Sequence, residues 1–441
     1  MLLSFTVRGY RSFHGEQALS LVANNRYTDH ADHLRALPGA EERLLPVVAL
    51  YGANGAGKSN LIKALAHLRA LVVGKARPQL VPFMFQGGLE VSLEVQFTAR
   101  GSIFLYGISG AHERLREEWL YLRQGSRWVA VLEREEGGVE LGEACPAPSE
   151  RLRALRTLGA KPHQTFLNFV REELSGPDSG PELQAVLDWF KRLKIILPST
   201  VHTLLPLALT DDPDLRGRMG EVLSRVATGV SRLEVVEREL DAAEVEALRI
   251  PWDRLVAEDT ADLVLSRNGR VYRALSGQGR VVESSLHLHH PFGESSIPFT
   301  PDDESDGTCR LLHLLPALLP DAGDEAGEAV IVVDEIDRSL HPQLSKHLLR
   351  RFIADGGSRQ LIFTTHDLNL LDLDVLRRDE IWFVEKREGA SDLYSLADFK
   401  IRKDLSIDRA YLQGRFGAVP PVEQEWPEWV KAIQQELEPR R

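Results

Sequence analysis

The segment from Gly52 to Ser59 has the residue types and spacing that most directly indicate chemistry in this sequence. It matches the pattern G-x-x-x-x-G-K-S of a phosphate-binding P-loop, the Walker A motif. Glycines let the backbone curve so that its amide groups point at phosphate oxygens. Lys58 is placed to reach the β- and γ-phosphates of a nucleotide, and the Ser59 hydroxyl is placed to bind Mg²⁺. The predicted nucleotide contacts are Gly52, Ala53, Asn54, Gly55, Ala56, Gly57, Lys58, Ser59 and the adjoining Asn60.

The residues on both sides of this loop favour the same interpretation. An apolar run typical of a strand, Val47–Tyr51, leads into the loop. A helical pattern follows it, with Leu61, Leu65 and Leu68 on one face. The positive amino-terminal end of that helix adds to the attraction for phosphate.

A second strand ends in two acidic residues. The apolar run 329–333 is followed by Asp334 and Glu335, which is a Walker B pattern. A carboxylate at the end of a parallel strand, here Asp334, is suited to hold Mg²⁺ through water. Glu335 is then placed to polarise a water molecule for attack on the γ-phosphate.

A third apolar run, 360–365, ends in His366. A strand–helix–strand unit separates Asp334 from His366, so both are expected at the same edge of one sheet. His366 is therefore predicted to contact the γ-phosphate or the attacking water.

Composition limits the classes of function. The chain has 441 residues, enough for two or three domains, and a formal net charge of -12. That charge argues against a surface built wholly for nucleic acid or anionic lipid, although it permits a local basic patch. Cys145 and Cys309 are far apart in the sequence and are expected to be reduced thiols. Since we find no apolar run of transmembrane length, a cytoplasmic protein without a membrane partner is expected.

The pattern of strands and helices predicts an α/β protein. A mixed parallel sheet would carry the three motifs, and alternating strands before residue 133 would form an antiparallel subdomain beside it. Residues 146–255 are mostly helical in pattern and are interpreted as an inserted lobe. The expected division is 1–145, 146–255, 256–420 and a tail of 421–441.

The segment Glu304–Thr308 precedes an apolar helix and allows two interpretations. It is either an ordinary helix N-cap or a second phosphate-binding helix terminus. Asp306 argues against the second interpretation, because a carboxylate repels phosphate.

Taken together, these motifs resemble those of ABC-type ATPases. Within that class they are similar to AAA-type ATPases of the group shared with SMC proteins and the overcoming-lysogenization-defect (OLD) ATPases. The opening segment 7–13 and the segments 378–386, 393–396 and 411–418 also resemble this group. The resemblance covers roughly residues 1–132 and 261–420.

This resemblance implies an ABC-type ATPase head and roles for further residues. Ser305 and Gly307 would be the signature motif that contacts ATP held by another subunit. Asp337 would be the D-loop acid at that interface, and His366 the switch histidine. Arg11, in the opening strand and turn, is counted among the nucleotide contacts. Gln86 is a weak candidate for the Q-loop glutamine.

The function implied is a switch that binds ATP and Mg²⁺, hydrolyses ATP and forms a homodimer around it. Relatives in this group often regulate an effector such as a nuclease in antiphage defence. An OLD-like or SMC-like ATPase acting directly on DNA is the alternative, and nucleic acid is a possible ligand. A GTPase is disfavoured because no Asn/Thr-Lys-x-Asp motif is present, and a transporter subunit because of the long insertion.

Four further clusters are expected to be structural. A metal site at His287, His289 and His290 is disfavoured because no cysteine or paired carboxylate is nearby in the sequence. Residues 133–136 are interpreted as a solvated turn. The pairs 350–351 and 377–378 are interpreted as exposed helix ends, with contact to nucleic acid as the less favoured alternative.

Overall fold

The structure is a computed structural model of the chain. It describes residues 1–37, 41–74, 77–85, 90–136, 138–145, 148–174, 176–198, 204–226, 228–248, 263–267, 270–275, 280–320, 328–355, 357–402 and 405–419. Gln86, the junction 249–262 and the tail 421–441 lie outside the described residues, so what the sequence predicts for them stays a prediction.

The secondary structure alternates between strand-rich and helix-rich segments. The strands are β1 (Leu2–Arg8), β2 (Gln17–Ser20), β3 (Arg35–Ala36), β4 (Arg43–Leu44), β5 (Val47–Tyr51), β6 (Val91–Ala99), β7 (Ser102–Ala111), β8 (Arg114–Gln124), β9 (Arg127–Glu135), β10 (Gly138–Leu141), β11 (Lys194–Ile196), β12 (Arg232–Glu239), β13 (Leu263–Arg267), β14 (Arg270–Leu275), β15 (Arg280–Phe292), β16 (Ser295–Phe299), β17 (Ala329–Val333), β18 (Arg359–Thr364), β19 (Ile381–Arg387) and β20 (Ala390–Ser395). The α-helices are α1 (Lys58–Val73), α2 (Glu150–Leu158), α3 (Phe166–Glu173), α4 (Pro181–Arg192), α5 (Leu205–Asp211), α6 (Pro213–Arg225), α7 (Ala242–Ala247), α8 (Asp306–Leu318), α9 (Pro342–Ala354) and α10 (Ile407–Leu412).

The central sheet has the strand order β11-β17-β18-β5-β19-β20. Its strands are parallel from β11 to β19, and β20 pairs antiparallel with β19. The four strands predicted for a parallel sheet, β5, β17, β18 and β19, lie side by side in it, which confirms that prediction. Because parallel strands end at one edge, the residues that follow β5, β17 and β18 meet there.

Strand β5 is fully buried and contributes to two hydrophobic cores. Val48 and Leu50 belong to the core shared with α1, α4 and the antiparallel sheet. Val47, Ala49 and Tyr51 belong to the core on the other face, together with α9 and α10. Successive strand residues point to opposite faces, so a strand covered on both sides is apolar throughout. This burial fixes the position at which the P-loop begins.

The predicted antiparallel subdomain is confirmed as a sheet with the order β10-β9-β8-β7-β6-β1-β2. The interpretation of residues 133–136 as a solvated turn is wrong at its start, because β9 continues to Glu135. The Arg134 side chain is buried there, and its Nη1 lies 3.7 Å from Oε2 of the fully buried Glu118. A buried charge requires such a partner, and periodicity along the chain gives no sign of it.

The segment 146–255 is helix-rich, as expected, yet it also completes two sheets. Strand β11 pairs with β17 in the central sheet, and β12 pairs with β15 in a third sheet. The apolar faces of α2, α3 and α4 join the core that contains α1. The first half of the segment therefore packs into the body of the protein. Among the described helices, none combines the length and apolar character needed to cross a lipid bilayer.

Candidate functional site

The P-loop joins β5 to α1 and depends on glycine for its shape. Gly52, Gly55 and Gly57 have φ angles of +154°, +78° and +119°. A Cβ atom at Gly57 would lie 2.3 Å from Oγ of Ser391, so no side chain fits there. The loop lines a cavity of about 160 Å³. The lining residues are Ala53, Asn54, Gly55, Ala56, Gly57, Lys58, Ser59, Asn60, Asp334, Glu335, Thr364 and His366.

Two serines that the sequence analysis missed form hydrogen bonds to the P-loop and to the start of the helix that follows it. Ser391 donates a hydrogen bond from its hydroxyl to the Ala56 carbonyl at 2.5 Å. Ser12 accepts a hydrogen bond from Nδ2 of Asn60 at 2.9 Å, and its carbonyl accepts one from the Ser391 amide at 2.7 Å. These contacts join three distant parts of the chain, so spacing along the sequence gives no sign of them.

Lys58 lines the cavity and is a buried residue. It donates to the carbonyls of Gly52 and Ala53 at 2.8 and 3.2 Å and lies 3.1 Å from Nε2 of His366. Burial lowers the pKa of Lys58 to about 8, although the nearby carboxylates raise it. Burial, and then the Lys58 charge, also lower the pKa of His366. Near neutral pH the proton therefore belongs to Lys58, and His366 is a neutral acceptor.

Asp334 and Glu335 enter the same cavity through the turn that follows β17. Oδ1 of the buried Asp334 accepts a hydrogen bond from the Thr364 hydroxyl at 2.6 Å. The same hydroxyl oxygen accepts a bond from the Glu335 amide at 2.7 Å. Thr364 therefore holds both acids through one oxygen atom. Sequence analysis missed this residue, although its place at the end of the neighbouring strand β18 is a usable signal.

Substituting Thr364 by valine is expected to destabilise the protein by about 1–3 kcal/mol, because the Glu335 amide loses its acceptor and Asp334 its donor. The shape of the side chain is almost unchanged. Urea denaturation followed by circular dichroism measures the change. Thr364→Ser is the matched control, since it keeps the hydroxyl. Equal stability of the valine and serine variants would contradict the role given to this oxygen.

Arg310, on α8, ties the predicted signature helix to the acidic turn. Its Nη2 donates to the carbonyls of Asp334 and Glu335 at 3.0 and 2.7 Å. The Arg310 side chain is buried, so these bonds are shielded from water. Sequence analysis interpreted this part of α8 only as an apolar helix. The position of α8 is thus linked to the backbone that carries both acids.

The signature residues lie outside the P-loop cavity of their own chain. Ser305 is exposed and caps α8, where its Oγ accepts a hydrogen bond from the Thr308 amide. A Cβ atom at Gly307 would lie 2.9 Å from the Ser339 carbonyl, so the start of α8 touches the loop after Asp337. Asp306 is an exposed acid in the first helical turn, where the helix dipole favours it. Ser305 therefore forms the N-cap of the first interpretation. The same end of α8 is exposed, so it is also accessible for phosphate binding, the second interpretation.

Asp337 lies between the signature region and His366. Its Oδ2 accepts a weak hydrogen bond from the His366 amide at 3.4 Å. Its Oδ1 is buried and has no hydrogen-bond partner within the described part of the chain. An unsatisfied buried carboxylate oxygen is uncommon and marks a position suited to an incoming donor.

Arg11 is not brought to the cavity. Its side chain donates from Nε to the Tyr10 hydroxyl at 3.0 Å, and it does not line the P-loop pocket. Ser12, the next residue, contacts the P-loop helix instead. The predicted turn therefore contacts the P-loop helix through Ser12 rather than through Arg11.

The structure gives partners to residues of two clusters that the sequence analysis interpreted as structural. His289 and His290 pair with Glu234 and Glu304, each at 2.6 Å, and no metal-binding group at these histidines is found among the described residues. Arg377 is not an exposed helix end, since it is 1% exposed and its Nε lies 2.9 Å from Asp379. That correction removes Arg377 from the candidates for contact with nucleic acid.

Several solved structures are similar to this chain at low sequence identity. An SMC head domain from Thermotoga maritima is 14% identical, with a TM-score of 0.39, and the match covers 91% of this chain and 99% of that one. An SmcHead bound to the C-winged helix domain of ScpA is 13% identical, with a TM-score of 0.44 and coverage of 93% and 99%. A search of curated proteins found no match.

A match to a family model identifies the family to which this chain belongs. The family described as "AAA domain, putative AbiEii toxin, Type IV TA system" matches residues 47–137 and 209–372, more than half of the chain. The match includes the P-loop, the signature segment, the Walker B acids and His366, and residues 138–208 lie outside it. The chain therefore belongs to this family of AAA domains.

Proposed function

We propose that this protein binds ATP together with Mg²⁺ and hydrolyses it. The observation that carries the proposal is the meeting of the P-loop, Asp334, Glu335 and His366 in one cavity. These groups come from the carboxyl ends of three neighbouring parallel strands, where nucleotides bind in folds of this class. An adenine nucleotide is preferred because the sequence lacks a guanine-recognition motif.

The residues in the cavity fit this chemistry. The amides of 52–59 and the Lys58 ammonium would bind the phosphates. Ser59 and Asp334 offer the oxygen ligands that Mg²⁺ prefers, and the ion would neutralise charge on the phosphates. Glu335 would accept the proton of the attacking water. Neutral His366, with its lone pair on Nε2, would accept a hydrogen bond from that water, whereas a hydrogen bond to the γ-phosphate would require the proton on Nε2.

Substituting Lys58 by alanine is expected to weaken ATP binding about 10- to 100-fold, which is the effect of one charge-assisted hydrogen bond. Calorimetric titration with Mg-ATP measures the affinity, and phosphate release measures hydrolysis. The exposed Lys63, on the same helix, supplies the control Lys63→Ala. A Lys58 variant that binds and hydrolyses ATP like the control would overturn the proposed nucleotide site.

We further propose that two copies enclose the nucleotide. The signature residues Ser305 and Gly307 lie outside their own cavity, so they are available to the ATP of a second copy. Asp337, with its unpartnered oxygen, would lie at the same interface. A two-fold dimer would then contain two composite sites that close on ATP and open after hydrolysis.

The wider role follows from the resemblance rather than from the site. We propose that the ATP-dependent dimer regulates a separate effector protein, such as a nuclease encoded nearby, in antiphage defence. The toxin–antitoxin system in the family's description agrees with a two-component arrangement. A cytoplasmic location is supported by the two free cysteines, Cys145 and Cys309.

A further inference from the structure

Two histidines and an aspartate meet in the segment between β2 and β3. His30, Asp32 and His33 each offer one ligand atom, and these atoms all lie within 4.8 Å of one another. We propose that these three side chains bind a transition-metal ion of the Zn²⁺ type. The ion would stiffen residues 30–33, whose two imidazoles already contact the body of the protein at Leu373 and Glu380. This inference does not depend on the proposed function.

The hydrogen bonds of the two imidazoles leave one nitrogen of each ring for a metal. Nε2 of His30 lies 2.8 Å from the Leu373 carbonyl, which can only accept, so Nε2 carries the proton and Nδ1 has the lone pair. Nδ1 of His33 lies 3.4 Å from both carboxylate oxygens of Glu380, so Nε2 of His33 has the lone pair. Metal-binding histidines almost always donate their second nitrogen to a carbonyl or carboxylate in this way.

Hydrogen bonds from Arg377 connect Glu380 with the residues just before His30. Glu380 is fully buried, and one of its carboxylate oxygens accepts a hydrogen bond from the Arg377 amide at 2.7 Å. The guanidinium of Arg377 donates to the carbonyls of Asp29 and Tyr27 at 2.6 and 3.2 Å, which fixes the chain just before His30. These contacts hold the histidine-bearing segment against the residues that precede β19.

The three proposed ligands differ in how far they are exposed to solvent, and therefore in how easily they can change conformation. His33 is buried, His30 is half-buried and Asp32 is exposed. The two rings stack with an interplanar angle of 22°, and a shared ion must lie close to the plane of both. His30 therefore has to turn, while His33 keeps its position against Glu380. Asp32 can follow, because its side chain is open to solvent.

The donor set selects the class of metal. Two imidazoles and one carboxylate suit Zn²⁺, Co²⁺ and related ions better than Mg²⁺, which prefers oxygen ligands alone. Three protein ligands leave a fourth position for water. Glu380, which borders the site, directly precedes β19, whereas the P-loop directly follows β5, and these two strands are parallel neighbours. The site therefore lies at the opposite edge of the sheet from the nucleotide cavity and is separate from the Mg²⁺ site.

Metal binding is tested on the full, untagged chain after dialysis against a chelator. Titration with Zn²⁺ in a calorimeter, and with Co²⁺ by visible absorption, is expected to show about one ion bound per chain. Asp32→Asn removes a ligand at an exposed position, so it should weaken binding at least tenfold without disturbing the fold. His33→Ala should abolish binding, and Glu380→Gln should weaken it by about 10- to 100-fold.

His287→Ala is the matched control, because His287 lies in β15 and bonds within that strand. It should bind Zn²⁺ like the unaltered protein. Zn²⁺ should also raise the thermal midpoint of the unaltered protein and leave that of Asp32→Asn almost unchanged. Absence of binding, or equal binding by Asp32→Asn and the unaltered chain, would overturn the proposal.

Discussion

Replacing Glu335 by glutamine is expected to slow ATP hydrolysis about 10²–10⁴-fold while ATP still binds. A glutamine amide cannot accept the proton of the attacking water, although it has almost the same shape. The turn should survive the change, because its contacts come from the backbone. The Glu335 amide donates to Thr364, and its carbonyl accepts from Arg310. Single-turnover hydrolysis and calorimetric ATP titration measure the two effects separately.

Glu388→Gln is the control for this substitution. Glu388 also has a positive φ, +49° against +54° for Glu335, and it is exposed on the turn between β19 and β20. Any backbone cost of glutamine in this conformation is therefore shared by both variants. If the Glu335 variant hydrolyses ATP at the rate of the control, Glu335 is not the general base.

Replacing Ser305 by arginine is expected to lower hydrolysis about 10²–10³-fold and to leave ATP binding nearly intact. Ser305 is exposed at the start of α8 and does not line the cavity of its own chain. A large side chain there would therefore leave the P-loop unchanged and would block the approach of a second copy. Size-exclusion chromatography with Mg-ATP, in a Glu335→Gln background, should show a dimer that the added arginine abolishes.

Loss of the helix cap has to be separated from loss of the interface. Ser305 caps α8 through the Thr308 amide, so substitution by arginine or alanine costs about 1 kcal/mol of stability. Ser305→Ala removes the cap without adding bulk, and it should keep more activity than the arginine variant. Equal inactivity of both variants would assign the effect to the helix end and would contradict the steric argument.

Mixed dimers give a direct test of shared sites. Neither Ser305→Arg nor Lys58→Ala should hydrolyse ATP alone. In a mixed dimer, one site combines the intact P-loop of one copy with the intact signature of the other. A mixed dimer carries the arginine at only one of its two interfaces, so it should form more readily than a dimer of two Ser305→Arg copies. An equal mixture should therefore recover hydrolysis that neither variant shows alone, with at most one working site in each mixed dimer. No recovery, or full turnover by a strict monomer, would contradict the composite site.

Local patterns in the sequence determined the central part of the protein. Glycine spacing placed the P-loop at 52–59, and apolar runs placed β5, β17, β18 and β19. The strands can be predicted from the sequence because a strand buried on both faces must be apolar throughout its length. The right-handed connection between parallel strands then placed Asp334 and His366 at one edge without any coordinates.

Only the tertiary structure decided which side chains support those groups. Thr364, Ser391 and Arg310 act through contacts between distant segments, and nothing in their immediate sequence distinguishes them from ordinary polar residues. The same holds for the buried pair of Arg134 and Glu118, which lie on neighbouring strands. The spacing of apolar residues along the sequence shows which face of a helix or strand is buried, because the buried positions recur with the repeat of that helix or strand. A buried polar group is instead satisfied by one partner at one position, and that partner is set only when the sheets and helices pack together.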